Sequence, residues 1–144
     1  MRQVVVNSKR TDYNYRNKSA YLYELGRTYF EKEDGLADEP KVLSLGMYGP
    51  AESFFTLKGE LEAIFAGLRL PKASYTAVKD NPSYHPGRCA KVSIDGVDVG
   101  IMGQVHPLVA KNYGIDVDVY CAEINFTKLL GCLLPDATYT PLPK

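Results

Sequence analysis

The dipeptide Asp95-Gly96 restricts the fold of this chain more than any other sequence feature. It separates two short apolar runs, residues 89–94 and 97–103. An Asp-Gly pair between apolar runs is typical of a β-hairpin with a two-residue turn, because both turn positions adopt a positive φ. The sequence therefore predicts that these two runs pair as antiparallel strands.

The first half of the chain predicts a second strand pair. Residues 20–26 are short and aromatic-rich, which favours a strand that continues through residue 31. Residues 41–48 carry enough apolar side chains to fill one buried face of another strand. The charged segment 32–40 between them is short, so we expect a loop or hairpin turn and antiparallel pairing.

One amphipathic helix is predicted over residues 54–68. Apolar side chains recur there every three or four positions, which places them on one face of a helix. Ser53 is a suitable N-cap, and Pro71 prevents continuation. Gly59 lies inside this pattern, where a glycine costs about 1 kcal/mol relative to alanine.

Shorter elements complete the second half. We expect a strand over 74–78, a turn-rich loop over 81–87, a helix over 106–113, a strand over 117–124 and a helix over 126–132. The whole chain then has about six mostly antiparallel strands and three helices, which predicts an α+β fold with helices packed on a sheet.

The length of 144 residues fits one domain with polar ends. Residues 1–19 are interpreted as an N-terminal edge or arm, because residues 8–19 are dense in polar side chains. Residues 20–132 form the core module. Residues 133–144 contain three prolines and are interpreted as an extended linker to a further C-terminal domain.

Composition argues against several functional classes. The net charge is zero, whereas surfaces that grip nucleic acid usually carry a basic excess, so autonomous RNA binding is disfavoured. No apolar run approaches the roughly 20 residues that span a bilayer, and the apolar start is too short for a signal peptide. Three widely spaced cysteines without a Cys-x-x-Cys pair predict reduced thiols in a cytosolic protein and no zinc site.

The run His85-Pro86-Gly87-Arg88 is the densest candidate for a binding site. Pro86 fixes φ at its own position, and Gly87 allows a wide range of φ at the next, so the run has a defined shape. His85 and Arg88 then either point together into a cleft that binds a carboxylate or phosphate, or fix the loop against neighbouring groups. The second interpretation is favoured.

Other candidate chemistry is weaker. Cys89 follows a cation that favours the thiolate, but it begins a strand and has no orienting base, so catalysis is disfavoured. His85 and His106 lack the spacing of a metal site. The tyrosines within residues 13–29 are interleaved with basic residues, and they either stack on RNA or form a sheet face at an interface. The interface is favoured.

Several motifs together resemble the β subunit of bacterial phenylalanyl-tRNA synthetases. Residues 23–27 (YELGR) resemble the family's FEIGR strand, and residues 54–61 (FFTLKGEL) resemble its FxLKG helix start. Residues 85–90 (HPGRCA) and 100–107 (GIMGQVHP) resemble its HPGR(S/C)A and GxxG(E/Q)xHP runs. Residues 123–125 (EIN) resemble the strand that follows.

The resemblance covers residues 14–144, in the family's order and with suitable gaps. The tail 139–144 (YTPLPK) is similar to the connector into the family's C-terminal anticodon-binding domain. The chain departs from the family over residues 4–13, which lack the apolar periodicity of the family's first helix.

The resemblance implies a class II aminoacyl-tRNA synthetase-like core that has lost the catalytic motifs. It implies that the α subunit activates phenylalanine with ATP and magnesium, and that this chain needs no cofactor or metal. It also implies a cytoplasmic (αβ)₂ assembly in which this core packs against the α subunit, and tRNA(Phe) as a partner of the whole enzyme. No catalytic residue is carried over.

The expected function is therefore a non-catalytic structural module at a subunit interface, inactive as an isolated chain. The alternative is a free-standing domain that binds a small anion or RNA through Arg88 and His85. The motif residues are assigned to the fold and the interface; they are Glu24, Gly26, Lys58, Gly59, His85, Pro86, Gly87, Arg88, Gly103, His106 and Pro107.

Overall fold

The computed structural model describes residues 18–27, 30–31, 37–38 and 40–133. These residues contain eight strands and three helices. In chain order they are β1 (Ala20–Arg27), β2 (Phe30–Glu31), β3 (Ala37–Asp38), β4 (Lys41–Tyr48), α1 (Phe54–Gly67), β5 (Ala73–Ala77), β6 (Tyr84–Ile94), β7 (Val97–Val105), α2 (Pro107–Asn112), β8 (Val119–Asn125) and α3 (Phe126–Leu130).

Six of the strands form one sheet in the order β1-β4-β8-β7-β6-β5. Every neighbouring pair is antiparallel, which confirms the predicted α+β fold with a mostly antiparallel sheet. β1 and β4 pair over their whole length, from Ala20 opposite Tyr48 to Arg27 opposite Lys41. β1 and β5 are the edge strands of this sheet.

The segment after β1 differs from the prediction of one strand through residue 31. β1 ends at Arg27, and β2 pairs with β3 in a separate two-stranded sheet, with Phe30 opposite Asp38. The prediction of an unbroken strand through residue 31 was therefore wrong, and the segment 32–40, predicted as a loop or hairpin turn, contains β3. Local strand propensity gives no sign of a change of pairing partner, because it mainly reflects how side chains fit a pleated surface.

Asp95 and Gly96 form the predicted two-residue turn between β6 and β7. Their φ values are 50° and 76°, and a type I′ hairpin turn requires a positive φ at both positions. Ile94 pairs with Val97 directly across the turn. The hairpin prediction is confirmed, although β7 continues beyond residue 103 to Val105.

α1 crosses one face of the large sheet, which we call the helix face. The Oγ of Ser53 accepts a hydrogen bond from the Thr56 N–H at 3.2 Å, so the predicted helix and its cap are confirmed. Leu57, Leu61 and Phe65 are buried on the sheet side of α1. They belong to a core cluster with residues from four strands, among them Met47, Val92, Met102 and Ile124.

The other face of the sheet carries a second core cluster beside α2. It buries Tyr48, Tyr84, Val105 and Ile115. α2 ends close to where the sequence predicts, followed by Gly114 at a φ of 73°. A residue without a Cβ adopts this conformation at low cost, so the glycine suits the position after the helix.

β6 begins at Tyr84, well before residue 89, where the sequence predicts a strand. The predicted loop over 81–87 therefore overlaps the strand, and a register shift against β7 lies between Tyr84 and Cys89. Pro86 is tolerated there because strand pairing is interrupted at such irregular positions.

The last two elements are shorter than predicted. β8 begins at Val119 rather than at residue 117. Asn125 caps α3 as expected, since its Oδ1 accepts a hydrogen bond from the Lys128 N–H at 3.0 Å. α3 then ends at Leu130 instead of residue 132.

The two ends of the chain, residues 1–17 and 134–144, lie outside the described residues. The predicted N-terminal arm and C-terminal linker therefore stay predictions. Within the described ranges, no helix has the length and apolar character needed to cross a membrane.

Candidate functional site

His85 and Gly87 fix the shape of the irregular start of β6. The Nδ1 of His85 accepts a hydrogen bond from the Gly87 N–H at 3.0 Å. A Cβ at residue 87 would meet the Cε1 of His85 at 3.3 Å, so glycine leaves room for this contact. His85 thus stabilises the local conformation of its own segment, which corresponds to the interpretation that this run fixes the loop.

Arg88 belongs to a three-residue hydrogen-bonded chain on the helix face. Its Nη1 donates to the Oε1 of Gln104 at 2.6 Å. The Nε2 of Gln104 donates in turn to the Oδ1 of Asp118 at 3.0 Å. Gln104 is 2% exposed, whereas Arg88 and Asp118 are both exposed. A buried amide with both of its ends hydrogen-bonded is stable, and this one orients one cation and one carboxylate.

Arg88 and Asp118 border a cleft of about 700 Å³ beside the start of α1. Much of the remaining lining is aromatic, from Phe54, Phe55, Tyr75 and Tyr120. His85 does not line this cleft. The structure therefore separates the two residues that the alternative function pairs, and only Arg88 faces the cleft.

Some aromatic side chains of the cleft contact each other or neighbouring side chains. The rings of Phe54 and Phe55 meet edge to face, with their centroids 5.7 Å apart. The Nζ of Lys58 lies 4.5 Å from the centroid of the Tyr75 ring, within the range of a cation–π interaction. Tyr75 is thus held from the α1 side, whereas Phe55 is 76% exposed at the rim of the cleft.

Two tyrosines in the cleft have raised pKa values. Burial, with a contribution from the charge of Glu62, raises the pKa of Tyr75 to about 12. Burial also raises the pKa of Tyr120; the carboxylate of Asp118 raises it further, and the guanidinium of Arg88 lowers it. Both phenols therefore stay protonated at neutral pH, and the Tyr120 hydroxyl lies within the fields of both charged groups.

The GIMGQVHP run mainly organises the fold around this cleft. A Cβ at Gly103 would lie 2.5 Å from the carbonyl oxygen of Arg88, so β7 approaches β6 too closely for a side chain. The Nδ1 of His106 accepts a hydrogen bond from the Leu108 N–H at 3.2 Å and caps α2. Pro107 occupies the first position of that helix, where its missing N–H costs nothing.

The remaining motif residues lie on β1 and α1. Glu24 and Gly26 are opposite Ser44 and Val42 in the β1–β4 pairing. Gly59 is exposed on α1, and a Cβ there would meet no atom within 4 Å. The structure therefore gives no packing reason for a glycine at residue 59.

Along the edge strand β1, large side chains on the helix face are exposed. Tyr21, Tyr23 and Leu25 are 56%, 79% and 49% exposed. Tyr21 and Tyr23, with Leu45 of β4 and Ile64 of α1, line a mainly apolar groove of about 410 Å³. We call this surface, including Leu25, the edge groove. Contiguous exposed apolar surface of this kind marks sites of interaction with other molecules.

Cys89 lacks the features of a catalytic nucleophile. The three cysteines are free thiols, and Cys89 and Cys121 are buried. Burial and the charge of Asp80 raise the pKa of Cys89, which reduces the reactive thiolate. In the part of the chain that the structure describes, no three His, Cys, Asp or Glu side chains are grouped to hold a metal ion.

Gln104 and Asp118 were not predicted from the sequence as neighbours of Arg88. Side-chain alternation along the predicted strand 117–124 places Asp118 on the same face as Tyr120, which is a partial signal. Finding the contact also requires the strand order β6-β7-β8, and nothing local in the sequence specifies that order.

The structure is thus an α+β domain with a largely aromatic cleft and an exposed apolar groove. The family model for the phenylalanyl tRNA synthetase beta chain CLM domain matches residues 3–126. The chain therefore belongs to this family of synthetase β-chain domains.

Full-length relatives agree with this assignment. The chain is 35% identical over 142 residues to the Phenylalanine–tRNA ligase beta subunit of Clostridium acetobutylicum, covering 97% of this chain and 18% of the relative. The protein of the same name from Clostridium tetani is 36% identical over 135 residues, 92% of this chain and 17% of the relative. The protein of the same name from Dehalococcoides mccartyi is 38% identical over 120 residues, which cover 76% of this chain and 15% of the relative. The chain thus spans less than a fifth of the length of these relatives.

Proposed function

We propose that this chain is a non-catalytic module at a subunit interface of a phenylalanine–tRNA ligase β subunit, with a class II synthetase-like core. In this role it supports the charging of tRNA(Phe) by a cytoplasmic assembly of α and β subunits. ATP and magnesium then act in the α subunit, and this chain binds neither. Family membership and the name of the relatives support the ligase context.

The edge groove is the observation that carries the interface role. Its exposed tyrosines and Leu25 lie on an edge strand of the sheet, where a partner gains apolar contacts. Aromatic side chains often supply a large share of binding energy at protein interfaces. Full burial of an exposed leucine contributes roughly 1.5–3 kcal/mol, and Leu25, at 49% exposure, has about half of that still to gain.

A titration with the α subunit of a phenylalanine–tRNA ligase from the same organism tests this role. We expect the chain to bind the α subunit, and Leu25→Asp to weaken binding at least about 10-fold, because it places a charge in an apolar contact. Leu108→Asp is the matched control, since Leu108 is 66% exposed on α2, away from the edge groove. Equal affinities for the two variants would contradict the proposal.

The absence of catalysis has a separate test. Pyrophosphate exchange with phenylalanine and ATP measures amino-acid activation directly. We expect no exchange above background from this chain alone, and exchange only when the α subunit is added. Turnover by the chain alone, unchanged after an additional chromatographic step, would show that it is an enzyme.

A further inference from the structure

The Arg88 cleft combines an aromatic lining with an exposed rim. Tyr120 is 6% exposed where it lines the cleft, whereas Phe55 is 76% exposed at the rim. Phe54 and Tyr75 supply the rest of the aromatic lining. Large apolar side chains that stand in water beside a cleft mark a site of interaction with another molecule. Aromatic side chains and arginine are also the residues most enriched where protein interfaces bind most strongly.

Arg88 and Asp118 are held at a defined spacing in this cleft. Gln104 bonds Arg88 at 2.6 Å through one end of its amide and Asp118 at 3.0 Å through the other. The bonded atoms of Arg88 and Asp118 are therefore at most about 8 Å apart, because only two hydrogen bonds and one amide group separate them. A guanidinium has five N–H donors and a carboxylate has two oxygens, so each contact with Gln104 uses only part of the group.

The hydroxyl of Tyr120 is a further hydrogen-bond donor in the cleft. Burial raises the pKa of Tyr120, so the phenol stays protonated at neutral pH. The charge of Asp118 raises this pKa further and the charge of Arg88 lowers it, so the hydroxyl lies within the fields of both groups. The cleft thus presents two kinds of donor and one carboxylate beside aromatic side chains.

We propose that this cleft binds a proline-rich segment of another protein, in the polyproline II conformation and with a basic residue at one end. The proline rings of the segment pack against Phe54, Phe55 and Tyr120. Its backbone carbonyls accept hydrogen bonds from the Arg88 guanidinium and the Tyr120 hydroxyl, and its basic side chain binds the Asp118 carboxylate. This site is separate from the edge groove and does not depend on the interface role.

The donors of the cleft favour this backbone conformation over a helix or a strand. Polyproline II has no internal hydrogen bonds, so its carbonyls are free to accept from side-chain donors. In a helix, the carbonyls are bonded within the helix except in its last turn. A peptide strand binds to the backbone of an edge strand, whereas Arg88 and Tyr120 lie on β6 and β8, two interior strands of the sheet. Grooves lined by aromatic side chains are a recurrent mode of binding proline-rich segments.

The pair of charges selects a basic segment. A polyanion such as RNA, or an acidic peptide, would meet the carboxylate of Asp118 beside the guanidinium of Arg88, and like charges repel. A basic side chain pairs with Asp118, while Arg88 donates to a neutral carbonyl. Polyproline II rises about 3.1 Å per residue, so a gap of at most about 8 Å places the basic residue within roughly three residues of the bonded carbonyl.

Two fluorescein-labelled peptides, APPLPPRA and ARPPLPPA, test the proposal, one for each direction in which the segment can lie. Their anisotropy is recorded as the full 144-residue chain is added. We expect saturable binding of at least one peptide. Replacing its prolines by alanine should weaken binding at least about 10-fold, because the peptide loses both its rings and its preformed conformation. Replacing its arginine by glutamine should weaken binding about 10-fold, because the charge-assisted contact with Asp118 is lost.

Variants of the chain locate the site. Asp118→Asn should weaken binding of the same peptide about 10-fold, because it removes the charge while the new amide oxygen still accepts from Gln104. Tyr120→Phe should weaken it about 5-fold, because only the hydroxyl is lost. Asp116→Asn and Tyr113→Phe are the matched controls, since neither residue lines the cleft, and they should leave the affinity unchanged. Thermal unfolding checks that each variant is folded.

Three results would overturn the proposal. The first is the absence of saturable binding of either peptide up to millimolar concentrations of the chain. The second is equal or tighter binding of the alanine-substituted peptide, which would favour a helical segment over polyproline II. The third is binding that Asp118→Asn leaves intact in a folded protein, which would place the peptide elsewhere.

Discussion

The two edge strands of the large sheet are covered differently on the helix face. β5 lies under α1, where Tyr75 is partly buried and the Lys58 ammonium group stands over its ring. α1 contributes Glu60 and Ile64 to the edge groove beside β1, yet Tyr23 is 79% exposed. The described residues thus cover one edge and leave the other open, although the open edge carries the larger apolar side chains. This difference supports the assembly role proposed for β1.

Replacing one aromatic side chain near each edge of the sheet by alanine should give the largest difference in the free energy of unfolding. Phe65→Ala should lower the free energy of unfolding by about 3–5 kcal/mol, because Phe65 is buried on the sheet side of α1. Tyr23→Ala should change it by at most about 0.5 kcal/mol, because the side chain is exposed. Urea denaturation of the isolated chain measures both. A cost for Tyr23→Ala similar to that of Phe65→Ala would show that β1 is already packed within this chain.

Two glycine substitutions test the close packing near the cleft. Gly103→Ala should destabilise by about 1–3 kcal/mol, since its Cβ would press on the backbone of β6 at residue 88. Gly59→Ala should stabilise by about 1 kcal/mol, because it improves helix propensity without any contact. Thermal melts compare the two variants with the wild type. We expect the melting temperature to fall for Gly103→Ala and to rise for Gly59→Ala. Changes in the same direction would be inconsistent with the described packing.

The contact of Lys58 with Tyr75 should make a smaller contribution at the covered edge. Lys58→Gln removes the cation over the ring and should cost about 0.5–1 kcal/mol. Lys72→Gln is a suitable control, since it removes an exposed cation just before β5 without touching this ring. The two variants are compared by urea denaturation at low salt, and equal losses would rule out a specific cation–π contribution.

The pH dependence of stability should show a modest effect of Tyr75. Its pKa is raised from 10.0 to about 12 in the folded chain. The folded state therefore retains a proton that the unfolded state releases, so this contribution is fully present below pH 10 and is lost as pH rises to about 12. Between about pH 9 and about pH 11, the wild type should lose more stability than Tyr75→Phe. Equal losses would mean that the Tyr75 phenol titrates alike in both states.

Local sequence signals predicted the elements that local chemistry determines. The Asp95-Gly96 turn, the apolar stripe of α1 with its Ser53 cap and the Asn125 cap each depend on residues close in sequence. Where β1 ends and β2 begins depends on a change of pairing partner, and the sequence contains no marker of it. The same limit explains why a loop was predicted over 81–87, where β6 in fact begins.

Only part of the candidate cleft could be predicted from the sequence. Arg88 stands out because it follows the Pro-Gly pair, but its link to Asp118 through Gln104 joins three strands or strand ends that are distant in sequence. His85 is an equal candidate from its position in the run, yet its Nδ1 accepts a hydrogen bond from the Gly87 N–H. Side-chain direction within an irregular strand is set by the register, which the sequence does not reveal.

Amide hydrogen exchange with and without the α subunit tests the central claim most directly. If β1 is the docking edge, its amides should exchange more slowly when the α subunit is added, and those of β5 should be unchanged. Protection confined to β5, or no protection of β1 at saturating α subunit, would contradict the claim that the uncovered edge is completed by a partner.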